Sequence, residues 1–150
     1  MLTAKQIQEL LKLQPLHPEG GHFAETYRSP LSSAIYYMLT PETFSAMHRL
    51  PGDEVYHFYL GDPVEMLLLK AEGSVETVLL GQNISAGMRL QFAVPGGTWQ
   101  GSRLAPGGKF ALMGTTMAPG FDPQGYEPGQ RDALSERYPA YAPLIAFLTK

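Results

Sequence analysis

His48 and Glu54 are the residues of this chain whose types and spacing could do chemistry. They flank a Pro51-Gly52-Asp53 turn within SAMHRLPGDEVYHFYLG, Ser45 to Gly61. Alternation from Phe44 to Leu50 predicts a short strand with Phe44, Ala46, His48 and Leu50 on one face. Proline presets φ and glycine takes conformations other residues avoid, so the turn is well specified. Val55 to Leu60 then predicts a second strand, rich in β-branched and aromatic residues that suit a pleated surface. Such a hairpin brings an imidazole and a carboxylate together inside a barrel or sandwich, as half of a metal site or as a general acid–base pair. A hydrogen-bonded core histidine and a solvated turn glutamate satisfy the same spacing, which leaves both readings open. Strict alternation from Glu54 turns Tyr56 inward and His57 outward, and a bulge near the turn reverses that phase. His57 is thus either a second cavity histidine or a residue of a dimer face.

The elements that must position these residues are marked by glycine and proline, 16 and 13 in number, which punctuate the chain as PEGG, SPLSS, PGD, GDP, PGG, APGG and APG. Turn signals at intervals of about ten residues indicate many short antiparallel strands in a sandwich or barrel. His22 to Arg28, Ala34 to Leu39, Val64 to Lys70, Val75 to Leu80, Leu90 to Val94 and Lys109 to Met117 supply further strands. Ala34 to Leu39 is apolar on both faces, as for a strand covered on its second face by another sheet or subunit. Gly114 marks a bulge or a close backbone approach. Thr3 and Gln6 form a capping box that opens an amphipathic helix over residues 4 to 13, stopped by Pro15. Helices over Arg131 to Tyr138 and Ala140 to Thr149 are expected to cover the open side of the barrel.

One domain spanning residues 1–150 accounts for the length, and a chain of 150 residues buries about two-thirds of its unfolded surface. With 44% hydrophobic and 17% charged residues the composition is that of an ordinary globular domain. A net charge of −3 without a basic run argues against a nucleic-acid partner. No apolar run reaches a membrane span and the N-terminus lacks the regions of a signal peptide, so a cytoplasmic protein is expected. The absence of cysteine excludes disulfides, thiolate ligands and cysteine nucleophiles, and any metal site must draw on histidine, carboxylate and amide. No nucleophile elbow, Walker loop, dinucleotide fingerprint or zinc-protease helix is present.

His48, Glu54 and Gly61 match the first histidine, the glutamate and the closing glycine of the first cupin motif, G-x5-H-x-H-x3,4-E-x6-G, with Leu50 in place of the second histidine. Pro95-Gly96-Gly97-Thr98-Trp99-Gln100 resembles the second motif, P-x-G-x2-H, with Gln100 at the histidine position. Together with HPEGGHFAETYRS and APGFD, these stretches make nearly the whole chain resemble cupin family five, small single-domain cupins labelled predicted sugar epimerases. The resemblance implies a mainly β fold, a double-stranded antiparallel β-helix (the cupin jelly-roll barrel), with a short N-terminal helix and C-terminal helical segments that join a homodimer contact. Gly21 to Glu25 is similar to the G-x-F-x-E stretch of the dTDP-sugar 3,5-epimerases, in which an arginine precedes the glycine. Here Gly20 stands in that place, which removes the expected nucleotide or sugar contact. Glu25 is accordingly either a site residue or a surface carboxylate beside Arg28.

Three functions follow. In an epimerase or isomerase of a sugar or nucleotide sugar, His48 is the base, Glu54 or Glu25 sets its tautomer, and Tyr36 or Tyr56 is the acid. In a metal-dependent dioxygenase or isomerase, His48, Glu54 and Gln100, with or without His57, hold a divalent transition metal. Glutamine is a feeble donor beside histidine, so no cofactor, or only a weakly bound metal, is expected. In a binding protein without catalysis, the barrel is a pocket for a small polar ligand. Trp99 either walls that pocket or fills a core.

Overall fold

The computed structural model describes all 150 residues. Helix α1 (Ala4–Leu10) opens the chain, followed by β1 (Gln14–Pro15), β2 (His22–Arg28), β3 (Ser33–Leu39), β4 (Phe44–Arg49), β5 (Glu54–Gly61), β6 (Val64–Leu69) and β7 (Val75–Leu80). Then come β8 (Gln91–Val94), β9 (Trp99–Leu104), β10 (Ala111–Met117), β11 (Glu127–Pro128), α2 (Arg131–Arg137) and α3 (Ala142–Phe147). One sheet has six strands in the order β1-β2-β3-β10-β5-β8 and the other five in the order β11-β4-β9-β6-β7. Every pair of neighbouring strands is antiparallel. The two sheets face each other as a jelly roll, and their inward side chains, among them Tyr37, Tyr56, Met66, Leu68 and Met113, make the largest core cluster.

Each outer face is covered by a helix. The α1 capping box forms as the sequence predicts, with Thr3 Oγ1 accepting from the Gln6 N–H and Gln6 Oε1 from the Thr3 N–H. The helix stops at Leu10 rather than residue 13, since Lys12 takes a φ of 57° that no α-helix accommodates. Its buried Ile7 packs with Met38 and Leu112 on the outside of the six-stranded sheet, where burial of one such side chain stabilises by about 1.5–3 kcal/mol. The apolar second face of β3 is therefore covered within the chain. The C-terminal helices do not lie over the barrel opening as expected. Leu134, Tyr138, Ile145 and Leu148 instead bury Met47 and Leu67 on the outer face of the five-stranded sheet, and the Met47 N–H donates to the Leu148 carbonyl at 2.8 Å. No helix is long and apolar enough to cross a membrane.

The hairpin of the two motif residues has a phase that alternation alone does not give. Ser45 opposes Ser102 and His48 opposes Gln100, so three steps on β4 match two on β9, which is a bulge. Ser45 and His48 both turn inward as a result, whereas Phe44 packs outside against Phe147 at 5.8 Å between ring centroids. Phe44 is thus not on the His48 face. The expected close approach at Gly114 is present, with a Cβ there clashing into the ring of Tyr59.

Candidate functional site

The loop between β1 and β2, residues 16 to 21, dips into the mouth of the barrel and carries Glu19 with it. Three bonds pin the loop: the Gly20 N–H to Leu16 O at 2.8 Å, the Ala46 N–H to Glu19 O at 2.8 Å, and Tyr37 Oη–H to Gly20 O at 2.7 Å. Glycine is required at its exit. Gly21 has φ 76°, and a Cβ there would lie 2.6 Å from the Tyr37 hydroxyl. The Gly20-Gly21 pair thereby fixes where a carboxylate enters the site.

Inside, Glu19 Oε2 accepts from Ser45 Oγ–H at 2.9 Å, and its Oε1 lies 3.6 Å from His48 Nε2. His48 is fully buried. Its Nδ1 is 2.7 Å from the Ala46 carbonyl, which can only accept, so the ring carries its proton on Nδ1 and leaves Nε2 to exchange one. Nε2 has no hydrogen-bond partner. Tyr126 stacks on the imidazole at 5.1 Å and 14° and closes it from solvent. Burial, reinforced by the charge of Glu19, raises the Tyr126 phenol and leaves it neutral.

A second polar chain runs from the two motif turns. Tyr56 Oη–H donates to Gln100 Oε1 at 2.9 Å, and Gln100 Nε2–H donates to Glu54 Oε1 at 3.1 Å. The turns themselves are clamped, since Asp53 Oδ1 accepts the Gly96 N–H at 2.8 Å. Burial above all, and then the charge of Glu19, pushes the Glu54 carboxyl above its ordinary range, while His48 and the bonds from Thr115 and Gln100 pull it back.

These groups surround a two-chambered cavity. The inner chamber holds about 60 Å³, with Glu19, Glu54, Tyr37, Tyr56, Leu50 and Thr115 on its walls. The outer chamber, about 500 Å³, opens from it past Leu16, Glu19, Phe23, Glu25 and Phe121, which line both. Outer chambers of this size fall in the range of small-molecule sites, whereas the inner one has room for a few waters or one small functional group.

The residues marked by the sequence divide between this cavity and the outer faces. Glu54, Tyr56 and Gln100 lie together in the barrel. His48 is beside them but does not line the cavity, because Glu19 stands in front of it. Glu25 lines both chambers and is also paired with Arg28, at 2.9 and 3.0 Å, so both of its readings describe it. Tyr36, His57 and Trp99 are outside. Tyr36 packs edge-on against Tyr59 at 6.1 Å, its neighbour Tyr37 being the inward residue of β3. His57 follows strict alternation, and its Nε2 meets Thr116 Oγ1 at 3.0 Å on the outer face. Trp99 is stacked under the Arg49 guanidinium at 4.5 Å and, half-buried, packs against the core beneath the C-terminal helices. Three residues of the site, Glu19, Tyr37 and Tyr126, carry no signal in the sequence beyond the glycines after Glu19.

The metal that the barrel type implies does not fit these residues. One imidazole is present, Leu50 takes the second place, and the Gln100 amide is committed on both sides. No three histidine or acidic side chains converge closely enough to hold an ion. His48 Nε2 points at a carboxylate rather than toward a shared centre with Glu54 and Gln100.

A jelly-roll barrel with its polar groups gathered at one mouth defines a cupin. The chain belongs to the Cupin_5 family, Cupin superfamily (DUF985), whose family model matches residues 5–128. It is similar to protein SO0799 from Shewanella oneidensis, at 33% identity over 100% of this chain and 99% of that one, with a TM-score of 0.93. It is 28% identical to the uncharacterised Saccharomyces cerevisiae protein YML079W over 131 residues, 71% of this chain and 65% of that one. The match thus spans less than two-thirds of the yeast protein. Bacillus subtilis oxalate decarboxylase, a protein with Mn(II) centres, shares the fold at 13% identity and a TM-score of 0.60, over 91% of this chain and 37% of that one.

Proposed function

We propose that the protein binds a small polar, sugar-like molecule in the two chambers and epimerises or isomerises it by proton transfer, without redox chemistry. The ligand body occupies the outer chamber, and its carbonyl with the adjacent carbon reaches into the inner one. Glu19 takes the proton from that carbon, and the electron pair moves onto the carbonyl oxygen. Glu54, whose burial favours its protonated form, donates to the developing oxyanion. For the isomer, Glu19 returns its proton to the neighbouring carbon while Glu54 takes one back from the neighbouring hydroxyl. For the epimer, a water on the opposite face supplies the carbon proton, Glu54 recovers the enol proton, and the proton on Glu19 passes to the hydroxide left behind. His48 positions Glu19 and shares its proton through Nε2. The observation that carries this reading is that two carboxyls face one small chamber in unlike surroundings, an arrangement that separates an acid from a base.

Incubation with aldoses and ketoses in deuterium oxide tests it. The expected result is deuterium at the carbon next to the carbonyl, followed by NMR, and its loss in Glu19→Gln and Glu54→Gln. No incorporation from any sugar would sink the reading. A second reading, binding without turnover, is supported by the tightness of the inner chamber, and sugar-dependent thermal shifts without exchange would establish it.

We also propose a homodimer. The apolar face of β3 is packed against α1 and the C-terminal helices against the five-stranded sheet, but exposed Leu10, Tyr59 and Leu60 line an apolar groove beside α1 that supports it. A monomeric sedimentation profile at micromolar concentration would reject it.

A further inference from the structure

We infer that the site selects uncharged polyhydroxylated ligands and rejects their phosphorylated, carboxylated and nucleotide-linked forms. This rests on the proposed sugar-like ligand but not on turnover. The inner chamber presents Glu19 and Glu54, and the wall shared with the outer chamber presents Glu25. Arg28 is the one guanidinium or ammonium lining either chamber. Its charge is balanced by Glu25. Its Nε and Nη2 bind both oxygens of Glu25, at 2.9 and 3.0 Å, and Nη2 also donates to the Phe121 carbonyl at 3.0 Å. The Glu25 carboxyl is correspondingly held below its ordinary range, chiefly by that hydrogen-bonded pairing.

An anionic ligand would therefore bring its charge beside the Glu19 carboxylate and the Glu25–Arg28 pair, with no uncompensated guanidinium or ammonium on the walls to receive it. Such like-charge juxtaposition is a means of rejecting a competitor rather than of binding a partner. The remaining walls suit a neutral sugar. Phe23, Phe121 and Tyr126 supply aromatic wall for C–H surfaces, while the carboxyls accept from hydroxyls. His48 Nε2, fully buried and without a partner beside Glu19, is an independent sign that this polar cluster is built for a guest or a proton rather than for packing.

The test uses matched pairs on the purified full chain: D-glucose against D-glucose 6-phosphate, D-ribose against D-ribose 5-phosphate, D-galactose against D-galacturonate, and UDP-glucose. Binding is read by calorimetry and by NMR shifts of the cavity side chains. At least one neutral sugar is expected to bind, with its charged counterpart at least about tenfold weaker. Glu25→Gln, which frees Arg28, is expected to recover about tenfold for the phosphorylated member. The inference is overturned by binding of no neutral sugar, by equal or tighter binding of a charged member at the cavity, or by no gain in Glu25→Gln. Neutral sugars that bind without deuterium exchange would defeat the acid–base function and leave this inference standing. Exchange of a phosphorylated sugar would do the reverse.

Discussion

Glu19 Oε1 lies 3.6 Å from Nε2 of His48, and Glu19 is the member of the pair that faces the cavity. The histidine reaches a ligand only through this carboxylate. Its Nδ1 bond to Ala46 and the stacked ring of Tyr126 hold it still, which is the arrangement of a group that orients and shares a proton with a partner.

Replacing that histidine should therefore cost stability as well as activity. His48→Ala strands the Ala46 carbonyl and removes the stacking surface of Tyr126, a loss of roughly 1–3 kcal/mol for the unsatisfied group. Thermal denaturation checks it. An unchanged melting temperature would show that the ring is not part of the packed interior.

Glu54→Gln should stabilise the protein at neutral pH. The folded carboxyl titrates above its ordinary value of 4.5, so between those two values the native state holds more protons than the unfolded one. Wild-type stability then falls as pH rises through that window and levels off above it. The amide avoids this penalty and keeps an oxygen for Gln100. Its advantage should be absent near pH 4 and greatest at neutral pH, in paired melts of variant and wild type. Loss of the acid should lower any exchange rate by about 10²–10⁴-fold.

Tyr37→Phe tests how the loop of Glu19 is held. The hydroxyl donates to Gly20 O at 2.7 Å, and its removal leaves that carbonyl unpaired at a cost of about 1–3 kcal/mol. Hydrogen exchange at residues 16 to 21 should accelerate while the strands stay protected. Unchanged loop protection would place the control of Glu19 elsewhere.

Gly21→Ala should be worse than a usual glycine replacement. Its φ of 76° disfavours a Cβ, and that Cβ would meet the Tyr37 ring. A loss of more than about 1 kcal/mol is expected in denaturant titration, with weakened ligand binding, since the same shift displaces Glu19.

Elemental analysis of protein purified without chelator should find transition metal well below one per chain. One imidazole and a committed amide make a poor set of donors. A full equivalent that resists dialysis would overturn the reading of the donor set.

The barrel was legible in the sequence because its causes are local. Glycine and proline punctuation set the strand lengths, alternation set most faces, and Thr3 with Gln6 set the first helix. The turn between them brought His48 and Glu54 together, and Gln100 joined them only through the resemblance of its stretch to the second cupin motif. The other part of the site comes from relations between segments far apart in the chain. The β4 bulge, which brings Ser45 in and puts Phe44 out, depends on pairing with β9. The C-terminal helices choose the outer face of a sheet because Met47 and Leu67 need burial there. Glu19 enters the barrel only because Tyr37 and Ala46, from two later strands, bind its loop. The sequence by itself therefore determined the fold and one side of the cavity. Tertiary structure alone decided which acid faces the ligand, because a side chain's direction from a loop is set by whatever holds that loop and not by its neighbours in the chain.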